Sequence, residues 1–431
     1  MQRPTCAEIE EWIALHATAA GLPDGLLELV WQRQQEDATA IGGFKAAEAA
    51  GSPDRHDLPH KPNANQTVVF NVSNGLIEGC HYCRATTNTS RCGACRVVSY
   101  CSREHQAIDR AAHKAACSKI EKERAKLEAE EKAIRAHAVD DHTGTNAFQE
   151  VGKAMGHFWK HQIIRPHLLA RYFLVLALLR VNTKHAVEAA LEHGLDMLRL
   201  NHEDNQGLRC IIPSLYLRLG RDQDCYDHLV WWLLYGRGDN KHHWGHPDAV
   251  VKDYNALEPV ADFIKGLPDL SQIVALALIK IRMLIDVRKF RSNPQHTSVE
   301  CISDIIAKGR GIFEKGVAEL ICGWLRNLVV DMYVGVWCHD EDFWEAMLNP
   351  GEYLAVGHFE YKSIKHGQLV VTLQECYNAW AETPGAFAVL EEMQGDREVQ
   401  ERLKRLKIAE VSLSAATCRA CFDQPPSIAR N

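Results

Sequence analysis

A pattern of eight regularly spaced cysteine and histidine residues from position 80 to position 117 constrains this chain more than any other feature of its sequence. The chain contains 15 cysteines in 431 residues, and this window holds six of them together with three histidines. The spacing is Cys80-x2-Cys83-x8-Cys92-x2-Cys95-x5-Cys101-x3-His105-x7-His113-x3-Cys117. A C-x2-C turn brings two sulfurs to one zinc ion, and helical residues four positions apart share a face. Four such pairs provide eight ligands, so the spacing predicts two closed tetrahedral zinc sites.

This spacing resembles that of the MYND-type zinc finger, and the segment Tyr100-Cys101-Ser102-Arg103-Glu104 is typical of that family. The resemblance covers residues 80–117 and implies a cross-braced arrangement, in which the first ligand pair joins the third and the second joins the fourth. One implied site is Cys80, Cys83, Cys101 and His105; the other is Cys92, Cys95, His113 and Cys117. Both zinc ions would be structural, because closed sites leave no coordination position open for catalysis. His81 is expected to be no ligand.

Two positions depart from the family pattern. His105 stands where the family usually has cysteine, so the first site has three thiolates and should retain zinc somewhat less tightly than an all-cysteine site. Arg110 stands where the family commonly has tryptophan, which in some members forms a groove for proline-rich peptides together with the residue matching Gln106. With Gln106 present and the ring absent, Arg110 favours an acidic or polar protein partner. The alternative is that the finger only staples a small module whose core is too poor to fold alone.

The composition, 46% hydrophobic and 24% charged, is that of a soluble globular chain. The net charge of −7 argues against nucleic-acid binding as the main activity. The longest apolar stretch, Leu168 to Leu179, is too short to span a bilayer and contains Arg171, so a buried helix is expected and no membrane partner. The first twelve residues lack the apolar core of an export signal. A cytoplasmic or nuclear location is therefore predicted, where clustered thiols indicate metal rather than disulfides.

The pattern of apolar residues predicts a mainly α fold, with a small cross-braced two-zinc finger followed by a repeat-like helical domain. Apolar residues recur at spacings of three and four across the C-terminal half. The charged segment after Cys117 also carries Ile120, Leu127 and Ile134 at a seven-residue spacing, which could pack on the next domain. The predicted segments are N-terminal helices at 1–40, a loop or linker at 41–75, the finger at 76–120, a charged helix at 121–140, the α-helical domain at 145–395, and a C-terminal helix and tail at 396–431.

Two consecutive helix pairs are predicted in the helical domain, with a period near 39 residues. They are Leu168 to Val181 with Ala186 to Leu200, and Leu208 to Leu219 with Cys225 to Tyr235. This region resembles tetratricopeptide-type repeats, although the 34-residue pattern is not cleanly met. Further helices are expected at about 270–290, 299–335 and 362–380. The whole-chain arrangement also resembles zinc-finger proteins of filamentous fungi.

Other candidate sites carry weaker signals. Cys418 and Cys421 repeat the C-x2-C spacing, and His242, His243 and His246 form a local cluster. Ordinary thiols and an exposed loop explain them more simply, and metal binding is the alternative.

The sequence contains no common nucleotide-binding, hydrolase or metalloprotease motif, so no catalytic residue is assigned. A SET-type lysine methyltransferase carrying this finger is the enzyme alternative, and its cofactor motif has only a poor match at Asn201-His202-Glu203-Asp204. We expect instead a zinc-binding protein-interaction adaptor, in the settings that the finger family suggests: ubiquitin-ligase assembly or transcriptional regulation.

Overall fold

The computed structural model describes residues 75–136, 156–160, 162–236, 244–246, 249–267, 269–293, 299–313, 317–355 and 364–407. The predicted N-terminal helices and most of the loop or linker at 41–75 lie outside these residues. So do Cys418, Cys421, His242 and His243. Within the described residues the chain is mainly α-helical, as its sequence predicts.

The elements begin with a small antiparallel hairpin and continue as helices. In chain order they are β1 Ser90–Arg91, β2 Ser99–Tyr100, α1 Arg103–Ala136, short 3-10 turns at Phe158–Lys160 and Gln162–Ile164, α2 Arg165–Leu178, α3 Lys184–Leu200, α4 Leu208–Arg218, α5 Asp222–Tyr235, α6 Ala261–Gly266, α7 Leu270–Ser292, α8 Asp304–Lys308, α9 Arg310–Phe313, α10 Ala318–His339, α11 Phe343–Leu348, α12 Gly351–Ala355, α13 Ile364–Ala381 and α14 Ala386–Gly395. A further helical segment covers 397–407.

Helix α1 joins the finger to the helical domain without a break. It begins after Ser102, whose hydroxyl accepts a hydrogen bond from the His105 amide at 3.3 Å and so caps the first turn. The predicted stripe of Ile120, Leu127 and Ile134 is buried, because a seven-residue spacing keeps apolar side chains on one face of a helix. That face packs against α2. The helix therefore runs continuously across positions 120 and 121, where the sequence suggested a boundary between finger and charged helix.

The two predicted helix pairs are present as α2 with α3 and α4 with α5. Thr183 ends the turn between α2 and α3 with an extended backbone, and its side chain accepts a hydrogen bond from the Ala186 amide. Successive helices from α1 to α5 pack against their neighbours in chain order. Helices α2 to α5 are therefore the repeat-like part of the helical domain.

Helix α7 is the centre of the core. Its residues are buried on every side, as expected for a helix without a polar face. It contacts α4, α5, α8, α10, α13 and α14, and α4 also contacts the distant α13. In a solenoid each repeat touches only its neighbours. The later helices therefore close around α7 instead of extending the stack.

Buried charged side chains take their partners from other elements of the fold. Arg218 on α4 donates two hydrogen bonds, at 2.8 and 2.9 Å, to the carboxylate of Glu382 after α13. Lys280 on α7 is fully buried, and it donates to the Ala256 carbonyl and lies 4.9 Å from the centroid of the Tyr226 ring. Burial lowers the pKa of Lys280 to about 7. These polar groups depend on the tertiary arrangement of the helices for their partners.

One described helix, α10, is long and apolar enough to cross a membrane by length and composition alone. Within that helix, 61% of its most apolar window is buried against the rest of the protein. Two of its charged side chains also have partners: Arg326 pairs with Asp396 and Glu398, and Asp331 pairs with Arg402. Packing inside the helical domain thus accounts for the apolar character of α10.

Candidate metal centre

Two turns of the same shape carry the first four predicted ligands. In the first, the Arg84 amide donates to the Cys80 carbonyl at 2.8 Å; in the second, the Arg96 amide donates to the Cys92 carbonyl at 2.9 Å. Both arginines have a left-handed backbone, with φ of 66° and 62°, which is uncommon for a residue other than glycine. This repeated geometry brings the two sulfurs of each C-x2-C pair within 4.8 Å of each other.

The two turns are held together by β2. The Cys92 amide donates to the Val98 carbonyl at 2.7 Å, and the His81 amide donates to the Ser99 carbonyl at 2.8 Å. Gly79 allows the chain to close beside Ala85, because a Cβ at position 79 would lie 2.2 Å from the Ala85 carbonyl oxygen. The first turn, the second turn and the start of α1 therefore form one small unit around two interior points.

Each interior point is surrounded by four ligand-type side chains. Cys80, Cys83, Cys101 and His105 form one group; Cys92, Cys95, His113 and Cys117 form the other. Within each group all ligand atoms lie within 4.8 Å of one another. The eight residues thus separate into the two cross-braced sets that the family resemblance implies.

The distances within each group fit a tetrahedral zinc ion. Zn–S bonds of ~2.3 Å and Zn–N bonds of ~2.0 Å place neighbouring tetrahedral ligands roughly 3.5–3.8 Å apart. In the first group Cys83 Sγ lies 3.5 Å from Cys101 Sγ, and Cys80 Sγ lies 3.7 Å from His105 Nδ1. The Cys101 Sγ–His105 Nδ1 distance of 3.0 Å is shorter, so these two ligands would separate slightly around an ion. In the second group the Cys92–Cys117 Sγ distance is 3.7 Å, and Cys95 Sγ lies 3.4 Å from His113 Nε2. Two Cys3His clusters therefore fit two structural zinc ions.

The pKa values of the thiols show why these groups need a cation. Burial opposes ionisation of Cys80, but backbone amides of Cys83, Cys101 and Tyr82 outweigh it and lower its pKa to about 6. Hydrogen bonding with the Cys83 thiol raises the pKa of Cys101 to about 11, and burial together with the Cys95 charge raises that of Cys117 to about 12. The three thiols of each site can ionise together only when a metal ion offsets the mutual repulsion of the thiolates.

His81, expected to be no ligand, belongs to neither group and instead pairs with Asp109. Its Nδ1 lies 2.8 Å from Asp109 Oδ2, and the Tyr100 hydroxyl donates to the same oxygen at 2.6 Å. Asp109 lies on α1 one turn after His105, so this carboxylate fastens the first turn and β2 to the helix. From the sequence, Asp109 could be recognised only as an acidic residue four positions after the ligand His105. Nothing in the sequence indicated that His81 and Tyr100 would be its partners.

The finger is docked on the turn between α2 and α3. The Thr183 hydroxyl donates to the Val97 carbonyl at 2.6 Å, and the Ile77 amide donates to the Asn182 carbonyl at 3.1 Å. From α1, Arg124 donates to the carbonyls of Ala94 and Cys95 at 3.3 and 2.9 Å. The contacts of Arg124 and Thr183 lie on the segment that carries Cys95, and the second group is the more buried of the two.

Gln106 and Arg110, the two residues predicted to contact a peptide, both lie in the first turns of α1. Gln106 is half-buried and Arg110 is exposed, and their i, i+4 spacing puts them on one helix face. Two apolar side chains of the finger are also exposed to solvent, Tyr82 at 50% and Ile108 at 58%. Tyr82 packs on the His105 ring with a centroid separation of 4.9 Å. The finger thus offers both apolar and cationic groups to solvent.

The weaker sequence candidates have structural explanations where they are described. Among the described residues, the groups of three or more ligand-type side chains that could hold a metal are the two in the finger. Trp244, two positions before His246, packs its ring on the buried His228 with a centroid separation of 4.5 Å. In the methyltransferase-like segment, Asp204 caps α4 by accepting from the Leu208 and Arg209 amides at 2.8 and 2.9 Å. These contacts are those of a helix-connecting turn.

Comparison with protein families agrees with this geometry. The model of the MYND finger family matches residues 80–117, the segment that contains all eight ligand-type residues. MYND fingers are zinc-binding modules of protein–protein interaction. The resemblance of the helical domain to tetratricopeptide-type repeats has no support from a family match. Searches of curated proteins and of solved structures find no match to this chain.

Proposed function

We propose that this protein is a non-enzymatic adaptor, which uses its zinc finger to hold a protein partner next to the helical domain. The observation that supports this most directly is the pair of Cys3His groups. Each group provides four protein ligands for one zinc ion, which leaves no coordination position open for a substrate. Contacts of Thr183 and Arg124 with the finger backbone then fix the finger's orientation relative to the helices. A partner held by the finger would therefore be presented in a defined geometry.

The charge of the finger surface favours an acidic partner. Within residues 80–117 the cationic side chains are exposed, and the anionic ones are Glu104, which is exposed, and Asp109, which is half-buried and engaged by His81 and Tyr100. The exposed cations are Arg84, Arg91, Arg96, Arg103, Arg110 and Lys114. Because the whole chain carries a net charge of −7, this local excess of positive charge is a feature of the finger and not of the composition.

The exposed apolar side chains of the finger favour a peptide over a featureless polyanion. Tyr82 and Ile108 can supply buried contact area, while Arg110 supplies a planar cation that matches a carboxylate. We further propose a cytoplasmic or nuclear location, and a role in ubiquitin-ligase assembly or in transcriptional regulation, the settings in which this family of fingers acts. A methyltransferase is disfavoured because the described strands, Ser90–Arg91 and Ser99–Tyr100, both belong to the finger.

Fluorescence polarisation with two sets of labelled peptides tests this proposal. The zinc-loaded full chain should bind Asp/Glu-rich peptides with apolar anchors more tightly than proline-rich peptides. Arg110→Glu should abolish that binding, and Lys122→Glu, the same charge change at an exposed position farther along α1, should preserve it. Arg110→Trp should shift preference towards the proline-rich set.

Equal loss of binding in the Arg110→Glu and Lys122→Glu variants would show that only overall charge matters and would contradict a site at Arg110. A labelled DNA duplex, measured in the same assay, tests whether the partner is a nucleic acid instead of a protein. Binding to DNA that is tighter than peptide binding and falls steeply with salt would replace the protein partner by a nucleic acid. Saturable binding of S-adenosylmethionine in calorimetry would overturn the non-enzymatic assignment.

A further inference from the structure

The two zinc groups have the same donor chemistry but differ in exposure. In the first group Cys83 is exposed, Cys101 and His105 are half-buried, and Cys80 is buried. In the second group Cys92, Cys95 and His113 are buried, and Cys117 is half-buried. Three thiolates and one imidazole serve each site, so a difference in reactivity between them must come from their surroundings.

The docking of the finger explains this difference. Arg124 covers the second group from α1 through its bonds to the Ala94 and Cys95 carbonyls, and the Thr183–Val97 contact holds the adjoining backbone against the α2–α3 turn. On the first group, the neighbour of the His105 ring is Tyr82, which is itself half exposed. Small solutes can therefore reach the first group while the helical domain covers the second.

We propose that Cys83 is an oxidation site, at which hydroperoxides convert Cys83 and Cys101 to a disulfide and expel zinc from the first site alone. The two sulfurs lie 3.5 Å apart, and they need to approach by about 1.5 Å to reach the ~2.05 Å of a disulfide bond. No other chain and no large rearrangement is required for that movement. The proposal concerns the metal site and does not depend on what the finger binds.

The chemistry is a two-electron reduction of the peroxide. The Cys83 thiolate attacks the terminal peroxide oxygen, the O–O bond breaks, and the leaving oxygen takes a proton and departs as water or as an alcohol. The resulting Cys83 sulfenic acid is then attacked at sulfur by the Cys101 thiolate. The S–O bond breaks, the hydroxide takes a second proton and leaves as water, and the S–S bond forms.

Zinc leaves because the disulfide no longer provides two anionic ligands. Cys80 and His105 remain, and two ligands do not complete a tetrahedral site. The first turn loses its metal link to α1, although the His81–Asp109 pair still connects them. The second site keeps its zinc and its contacts with the helical domain, so the result is a local opening of the finger. A thiol reductant and zinc should reverse it.

The experiment uses the zinc-loaded full chain, titrated with hydrogen peroxide while a chromophoric chelator records free zinc. Release should stop at one equivalent per chain, and peptide mapping should find a Cys83–Cys101 disulfide. Circular dichroism should show the helical signal unchanged. Cys83→His, which keeps a ligand but removes the thiol, should suppress the release. Cys92→His, the matched change in the second site, should leave it intact.

Three results would overturn the proposal: release of both ions together, prior release from the second site, or a disulfide that does not contain Cys83. The mapping on wild-type protein at substoichiometric peroxide decides the question even if a histidine variant fails to load zinc. Equal peroxide-driven release from zinc-loaded Cys83→His and wild type would also exclude Cys83 as the reactive position.

Discussion

Replacing Thr183 by valine should weaken the contact between the finger and the helical domain without disturbing either metal site. The Thr183 hydroxyl donates to the Val97 carbonyl at 2.6 Å and accepts from the Ala186 amide at 3.2 Å, and the residue is only 2% exposed. Valine has the same shape and lacks both interactions. Loss of the helix cap costs about 1 kcal/mol. Leaving the buried Val97 carbonyl without its donor costs about 1–3 kcal/mol.

The free energy of unfolding should therefore fall by roughly 2–4 kcal/mol in Thr183→Val. Urea denaturation of the zinc-loaded chain measures this loss. Hydrogen exchange gives the local readout, because the Ile77 and Lys184 amides hydrogen-bond across the same junction and should exchange faster. Thr183→Ser is the matched control, since it keeps the hydroxyl and loses only a methyl group. A difference between the two variants below about 0.5 kcal/mol, the scatter of an ordinary surface change, would refute this account of the junction.

Three further changes test other parts of the fold. Ile120→Ala should destabilise the protein by about 2–5 kcal/mol in urea denaturation, because a buried side chain leaves a cavity; Ile108→Ala, on the exposed side of the same helix, should change stability by less than about 0.5 kcal/mol. The pKa of Lys280 is about 7 in the folded protein against 10.5 ordinarily, so between these values the unfolded chain binds the additional proton and stability should rise with pH. Lys280→Met should remove that component, which is worth at most about 1.4 kcal/mol per pH unit, when unfolding is measured at pH 7 and pH 9; an identical pH dependence in the two proteins would contradict the burial of a protonatable amine. Arg218→Met should cost about 3–5 kcal/mol by leaving the Glu382 carboxylate buried and unpaired, and Arg218→Met combined with Glu382→Leu should recover most of the loss. Recovery that fails in the double variant would mean that the loss comes from packing and not from the isolated charge.

The local elements of this protein follow from short-range patterns in its sequence. Thr183 and Ala186 stand three apart at the start of α3, and the threonine side chain caps that helix. The seven-residue spacing of Ile120, Leu127 and Ile134 required only that the segment be helical for all three to share a face. Such features depend on residues within a turn or two of one another, which is why the paired helices α2 to α5 could be predicted with bounds close to the observed ones.

The polar partners inside the fold could not be predicted in the same way. Nothing near Arg218 in the chain indicates Glu382, which lies 164 positions away. Asp109 likewise hydrogen-bonds with His81 and Tyr100, which lie on two different segments of the finger. A side-chain pair of this kind becomes visible only after the backbone has brought its members together.

For the zinc centre, the sequence by itself determined the number and kind of the ligands, because a C-x2-C turn and an i, i+4 pair have fixed geometries that do not depend on the rest of the chain. Only the tertiary structure decided that the two sites are unequal. The α2–α3 turn and Arg124 cover Cys95 and its neighbours, whereas Cys83 is exposed, and that difference arises from the docking of the finger on helices that lie up to about a hundred residues further along the chain. Exposure is set by what packs against a site, and local spacing carries no information about that.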